Sequence, residues 1–379
     1  MGCNYTDECG GCRYRQLGQE EYRTKKCRDV QAVLDGLKDK DYRFAEPVFV
    51  GDNQRRRATL AFSCRKGKLV LGFNRSRSAE IVDLASCYLL TPKINAALPE
   101  LRRLLAELCA VKIPQMKKNK QVGVTCLQGG DLQITEADNG LDIVLQFDGE
   151  LNLDYRMIIF EFAQNSNDVA RISHRRSENG QPETIVEKSK PYINIAGYEV
   201  FIPAGTFLQA SKASEQALIE IVLRYAGESG GKIADLFCGV GTFSYPLSKN
   251  IKNKIVAADS SRSLLEGFRQ SVNKNMIPNI EIVEKNLFKY PLDEKELNGF
   301  DLVVFDPPRA GAEAQAKKIA AMGTSAPQKV IAVSCNPHSF VKDANILIGA
   351  GFKLEEITLV DQFAYSNHSE LVALFTKKD

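Results

Sequence analysis

From about residue 205 to the C-terminus, short apolar and β-branched runs alternate with stretches of helical period. The runs Lys232–Phe237, Lys254–Ala258, Ile280–Val283, Leu302–Phe305 and Val330–Ser334 read as buried strands. Thr242–Lys249, Arg262–Asn275, Ala312–Met322 and His338–Ala350 read as the helices between them. Before the first strand, Ala217, Leu218, Ile221, Val222 and Tyr225 recur at helical spacing within Lys212–Ala226. This alternation predicts an α/β region with a mostly parallel sheet covered on both faces. Lys353–Val360 and Glu370–Thr376 are too close in sequence for a helical crossover, so they are expected to close the sheet as an antiparallel pair.

The texture of residues 50–200 is different. Arg57–Phe62, Leu69–Phe73, Ala79–Leu84, Val122–Leu127, Leu132–Thr135 and Ile143–Phe147 are short β-type runs with turn residues between them. They predict an α+β, largely antiparallel domain, interrupted by one helix around Ile94–Cys109. Arg175–Lys190 is polar, contains Gly-Gln-Pro and reads as a loop. Ahead of this region, a helical stretch covers Tyr22–Leu37. Three domains are expected: 1–50, 51–204 and 205–379.

Charge and cysteine usage add chemistry to this outline. Arg13 to Arg77 holds 17 Lys and Arg against 8 Asp and Glu, whereas residues from 201 onward hold 20 of each. That bias fits a polyanion-binding module beside a neutral core, and also fits a merely solvated surface. No apolar run is long enough to span a membrane and the N-terminus does not read as a signal peptide, so a cytoplasmic protein is expected. In that compartment the ten cysteines should be reduced. Cys3, Cys9 and Cys12 form C-x5-C-G-G-C, with Cys87 the best distant fourth ligand. The absence of a second C-x2-C pair favours an iron–sulfur cluster, with zinc as the competing reading. Cys27, Cys64, Cys109, Cys126 and Cys238 sit singly among apolar residues and read as core packing.

The C-terminal strand ends carry the reactive groups. Asp235-Leu-Phe-Cys-Gly-Val-Gly-Thr-Phe243 places Gly239 and Thr242 between a strand and a helix, where backbone N–H groups meet a ligand. Asp259 ends the next strand, positioned either to bind the ribose hydroxyls of an adenosyl group or to cap a helix. Asp306-Pro-Pro-Arg309-Ala-Gly311 fixes a carboxylate that can accept the N3–H of a uracil. Ser334-Cys335-Asn336-Pro337 follows. Uracil C5 is a poor nucleophile until a thiolate adds to C6, and Cys335 is placed for that role, although a lone Cys is more often a core residue. Glu370, at the start of the last strand, is the natural base for the C5 proton, and Asp361 and His368 either orient it or are ordinary loop residues.

Together these motifs resemble the RNA uracil-C5 methyltransferases over essentially the whole chain. The resemblance implies a Rossmann-like class I methyltransferase domain using S-adenosylmethionine, Cys335 as nucleophile and Glu370 as proton acceptor. It implies a four-iron–four-sulfur cluster on Cys3, Cys9, Cys12 and Cys87. Gln209, in Gly205-Thr-Phe-Leu-Gln-Ala-Ser211, matches the family's Phe-x-Gln motif near cofactor and base, Phe237 and Asp259 match adenosyl contacts, and Asp306 is also placed at the cofactor. Asn286 stands where the family expects an acidic adenine contact, Ser211 where it often has Asn, and Thr242 precedes Phe243 where Asn is frequent. Arg57-Ala-Thr-Leu and Gly72-Phe-Asn-Arg-Ser-Arg resemble its central RNA-binding domain. No further oligonucleotide-binding barrel precedes Cys3, which resembles the shorter, cluster-bearing branch that methylates 23S ribosomal RNA. Transfer RNA is the alternative substrate, a monomer is the expected state, and a non-catalytic RNA-binding iron–sulfur protein or a radical enzyme are the competing classes.

Overall fold

The computed structural model describes residues 3–117, 120–228 and 230–377. Met1, Gly2, Lys378 and Asp379, at the outer limits of the first and last expected domains, lie outside them. Two compact units emerge. One comprises residues 1–16, 51–193 and 202–208, and the other 17–50, 194–201 and 209–379. Among the described residues no helix is long and apolar enough to cross a membrane.

The first unit is built on a six-stranded sheet. Arg57–Arg65, Lys68–Gly72, Gly129–Ala137 and Gly140–Gln146 form its antiparallel part, and Val169–Arg175 adds in parallel to Gly140–Gln146. The helix Pro92–Ala110 starts cleanly because Thr91 accepts the Ile94 N–H and proline occupies the first turn. Its Ile94, Leu98, Leu101, Leu105 and Leu108 bury one face against the sheet residues Leu60, Leu132, Ile134 and Ile143. Sequence periodicity missed a second helix, Leu153–Asn165, whose exposed Leu153, Met157 and Phe160 blur its amphipathic pattern. Arg175–Lys190 is also more than a loop, because Glu183–Glu187 pairs with Val169–Arg175. Ala79–Leu84 forms only an isolated bridge, Asn74 to Ile81, rather than a strand.

The second unit begins with helix α1 (Gln19–Leu34) and two short strands, β1 (Arg43–Phe44) and β2 (Val48–Phe49). After α2 (Lys212–Ala226) the chain alternates as expected. It runs β3 (Lys232–Leu236), α3 (Ser244–Ser248), β4 (Lys254–Asp259), α4 (Arg262–Lys274), β5 (Ile280–Glu284), α5 (Glu294–Leu297), β6 (Leu302–Phe305), α6 (Glu313–Ala321), β7 (Lys329–Ser334) and α7 (Pro337–Gly349). The closing strands are β8 (Phe352–Asp361) and β9 (Glu370–Lys377). The nine-stranded sheet has the order β1-β8-β9-β7-β6-β3-β4-β5, and β2 also pairs with β8. Strands β3 to β7 are parallel, while β9 runs antiparallel to both β7 and β8. The strand order reverses between β3 and β6, the position where open α/β sheets form a crevice beyond their C-terminal ends. This is a Rossmann-like class I methyltransferase fold with an antiparallel last strand. The parallel pairing of β1 and β2 on β8 was not legible, since each is two residues long.

Candidate active site

Parallel strands bring their C-terminal ends to one edge of the sheet, and the antiparallel β9 brings its first residue to that same edge. Asp235, Asp259, Asp306, Cys335 and Glu370 therefore share one rim.

The turn after β3 forms the first half of the site. Phe237 adopts φ +59°, a left-handed conformation unusual for a residue with a side chain. Its ring packs against Phe288 with centroids 5.2 Å apart. Gly241 is required sterically, since a Cβ there would lie 2.5 Å from Phe268 Cζ. At Gly239 an added Cβ would meet nothing within 4 Å, so the backbone there is open for a ligand. Asp259 secures the turn: its carboxylate accepts Gly239 N–H over 3.1 Å and Ser261 N–H over 2.8 Å. Thr242 is half-buried at the entry to α3. Asn286 is exposed and its side-chain oxygen accepts the N–H groups of Phe288 and Lys289.

Beneath the turn, Asp235 is fully buried and accepts the Ser244 hydroxyl over 2.5 Å. Burial raises its carboxyl to about 7; Ser244 opposes that rise, while Asp306 and Asp259 add like charge. Three carboxylates crowded at adjacent strand ends form an environment that favours a cationic ligand.

The second half gathers around Asp306. Gln209 Nε2 donates to its Oδ2 over 3.2 Å, yet burial still raises Asp306 to about 7. Glu370 is buried, and Gln362 Nε2 donates to its Oε2 over 2.5 Å. Its Oε1 has no hydrogen-bond partner among the described residues. Burial, with the charge of Asp306, holds Glu370 well above the usual carboxylate range. Cys335 follows β7 directly and is half-buried. Its thiol is pushed up to about 12 by burial and by the charges of Glu370 and Asp306, against the opposing charge of Arg309. Arg309 Nη2 lies 2.9 Å from the ring nitrogens of His368, and its carbonyl accepts the Asn336 side chain over 3.0 Å. Asn336 in turn caps α7 through the His338 N–H. Gln362 has no signal of its own in the sequence; its Oε1 also accepts Ala210 N–H, beside Gln209.

The three N-terminal cysteines and Cys87 belong to the first unit. Cys3, Cys9, Cys12 and Cys87 line one pocket together with Gly11, Arg15, Phe73 and Leu84. Close packing fixes the turn, because a Cβ on Gly10 would stand 2.8 Å from the Asn74 carbonyl. Burial raises the thiols of Cys9, Cys12 and Cys87, Cys12 to about 12, and neighbouring cysteines raise them further. Arg55 counters their charge and lies 5.7 Å over the Phe73 ring. Among the described residues no group of three or more His, Cys, Asp or Glu is placed to hold a metal ion.

The expected basic face divides by exposure. Arg65, Lys66, Lys68 and Arg77 are exposed, whereas Arg56 is buried and Arg55 and Arg57 are half-buried. Arg75 is paired with Glu8 and Glu80.

The fold, with its Gly-x-Gly turn, is that of an S-adenosylmethionine-dependent methyltransferase. The tRNA (uracil-5-)-methyltransferase family model matches residues 188–378. An uncharacterised RNA methyltransferase of Brucella melitensis biotype 1 is 36% identical over 377 residues, 99% of this chain and 84% of that protein. The chain belongs to the tRNA (uracil-5-)-methyltransferase family and is an S-adenosylmethionine-dependent RNA (uracil-C5)-methyltransferase. The 23S rRNA (uracil(1939)-C(5))-methyltransferase of Vibrio parahaemolyticus is 28% identical, over 99% of this chain and 81% of that protein. Among solved structures, the tRNA (uracil-54, C5)-methyltransferase of Pyrococcus abyssi, in complex with S-adenosyl-L-homocysteine, shares the fold. Its TM-score is 0.73 at 23% identity, covering 97% of this chain and 86% of that one.

Proposed function

We propose that this enzyme methylates C5 of a uridine in 23S ribosomal RNA through a covalent bond between Cys335 and uracil C6. The observation that carries the chemistry is the grouping of Cys335, Glu370, Asp306 and Gln209 at one strand edge. Support for the RNA comes from the Vibrio parahaemolyticus relative, which aligns with 99% of the chain.

In this reading Asp306 and Gln209 hold the uracil, with the Asp306 carboxylate accepting N3–H. The Cys335 thiol loses its proton to solvent as Sγ bonds C6, and the positive Arg309 favours the thiolate. Electrons displaced from the C5–C6 double bond make C5 nucleophilic. Phe237, Gly239, Thr242, Asp259 and Asn286, with Asp306 at the border, would hold S-adenosylmethionine, which would supply the methyl group that C5 takes and depart as S-adenosylhomocysteine. The C5 proton then passes to Oε1 of Glu370, the double bond re-forms and Sγ leaves. A carboxylate whose pKa is raised by burial is a stronger base for that step.

Cys3, Cys9, Cys12 and Cys87 are proposed to hold a four-iron–four-sulfur cluster. Their common pocket supports this. The cluster would supply a cationic core that offsets four crowded thiolates and so orders the turn around Gly10 and Gly11.

The test is incubation with methyl-labelled S-adenosylmethionine and separated unmodified ribosomal and transfer RNA, followed by mapping. Label at C5 of one uridine in large-subunit RNA is expected, and label confined to tRNA rejects the ribosomal assignment.

A further inference from the structure

Helix α1 carries two side chains that reach the segment leading to Glu370. Lys26 is 2% exposed, and its Nζ lies 3.0 Å from Oδ1 of the fully buried Asp361. The same ammonium donates to the carbonyls of Ser366, over 2.8 Å, and of His368. One turn earlier on the helix, the Tyr22 hydroxyl donates to Asp361 Oδ2 over 2.5 Å and accepts the Tyr365 N–H over 2.8 Å. The two tyrosine rings stack at 4.7 Å, and Tyr365 takes φ +59°, a conformation its side chain disfavours without such support.

A buried ammonium and carboxylate cost desolvation on both sides and seldom stabilise a fold more than well-packed apolar residues would. Here the arrangement has a geometric consequence instead. Asp361 ends β8 and Glu370 begins β9, so the eight residues between them set where the Glu370 carboxylate lies. Lys26 and Tyr22 grip that connection at residues 361, 365, 366 and 368. Within it, Gln362 holds Glu370 Oε2 and leaves Oε1 open. His368 meets Arg309, which faces Cys335.

We propose that Lys26 and Tyr22 are positioning residues for proton removal: through Asp361 they fix the Gln362–Ser369 segment, and so hold Glu370 over C5 of the methylated adduct. This rests on the reading of Glu370 as the base. Neither residue touches the nucleobase, so their loss should spare the addition of Cys335 and slow the resolution of the adduct.

The experiment measures both steps separately in the full chain, with the RNA that the wild-type enzyme labels. Substituting 5-fluorouridine blocks loss of the C5 group, so adduct appearance reads formation alone, while unmodified RNA in single turnover reads resolution. Tyr22→Phe, which deletes one oxygen, is the deciding variant, and Lys26→Met is the stronger one should it fold. Formation within about twofold of wild type with resolution slowed about 10-fold or more supports the proposal, the range expected when a catalytic group is displaced by a fraction of an ångström. Resolution at the wild-type rate in Tyr22→Phe, or both steps slowed in equal proportion, overturns it. Glu370→Gln is run in parallel. Failure of that variant to accumulate adduct removes the base assignment itself, whereas accumulation there with normal turnover by Tyr22→Phe removes only the positioning role.

Discussion

Cys335 and Glu370 flank the end of an antiparallel ladder: β7 and β9 are in register up to Ser334 opposite Leu371, Cys335 directly follows Ser334 and Glu370 directly precedes Leu371. Backbone pairing therefore brings the proposed nucleophile and base to the same end of the ladder, while the 362–369 connection sets where the Glu370 carboxylate lies. Burial, and secondarily the charge of Glu370 nearby, raises the Cys335 thiol above its ordinary value.

In the free enzyme that effect should be measurable by alkylation of Cys335 with iodoacetamide. A thiol near 12 gives a rate rising about tenfold per pH unit from 6 to 9 without a plateau, because only the thiolate reacts. Glu370→Gln removes the adjacent charge and should speed the reaction, and Arg309→Ala should slow it. A plateau near pH 8 would remove the proposed perturbation.

Cofactor affinity should follow the acidic rim. Asp235 and Asp306 are both raised to about 7, so at lower pH the free enzyme holds them protonated. A sulfonium cation favours the ionised carboxylates, and calorimetry should show S-adenosylmethionine binding tighten from pH 5.5 to about 7 and level off above. The neutral sulfide of S-adenosylhomocysteine should show a shallower rise. The same shift has a stability sign. With a folded pKa above the unfolded value near 4, the Asp235 contribution is fully present below about pH 4 and lost as pH rises through about 7. Asp235→Asn should flatten that part of the pH–melting curve.

The cysteine pocket gives a compositional prediction. Protein purified without oxygen should be brown and carry about four irons per chain. Cys12→Ser or Cys87→Ser should bleach it and lower the melting temperature of the first unit. One zinc and no iron in anaerobic preparations would reject the cluster.

Exposure narrows the expected basic RNA-binding face to Arg65, Lys66, Lys68 and Arg77 as candidate contacts. If these meet phosphates, neutralising all four should shallow the plot of log affinity against log salt by about 0.7 to 0.9 for each lost contact. S-adenosylmethionine affinity should stay constant. An unchanged slope would assign these side chains to an ordinary solvated surface.

Much of the second unit could be read from the chain because its signals are local. The buried runs of β3 to β7 are continuous and apolar, and Gly239, Asp306 and Cys335 lie where those strands end. What escaped is long-range. Lys26 and Tyr22 lie in a stretch legible only as helical, and their burial against Asp361, more than 330 positions away, has no local signal. Gln362 gave no periodic or charge signal, since a glutamine acquires its role only when β9 folds back beside it. In the first unit, Leu153–Asn165 was hidden because Leu153, Met157 and Phe160 expose the apolar side chains that periodicity counts as buried.

The proposed mechanism makes Cys335 and Glu370 act on opposite sides of one covalent intermediate, so the most direct measurement is denaturing electrophoresis of each variant after incubation with RNA and methyl-labelled S-adenosylmethionine. Cys335→Ala should give neither methylation nor adduct. Glu370→Gln, of similar size but without an effective base, should accumulate a protein–RNA band that survives denaturation and carries the methyl label. A covalent band from Cys335→Ala, or full turnover by Glu370→Gln, would contradict the account.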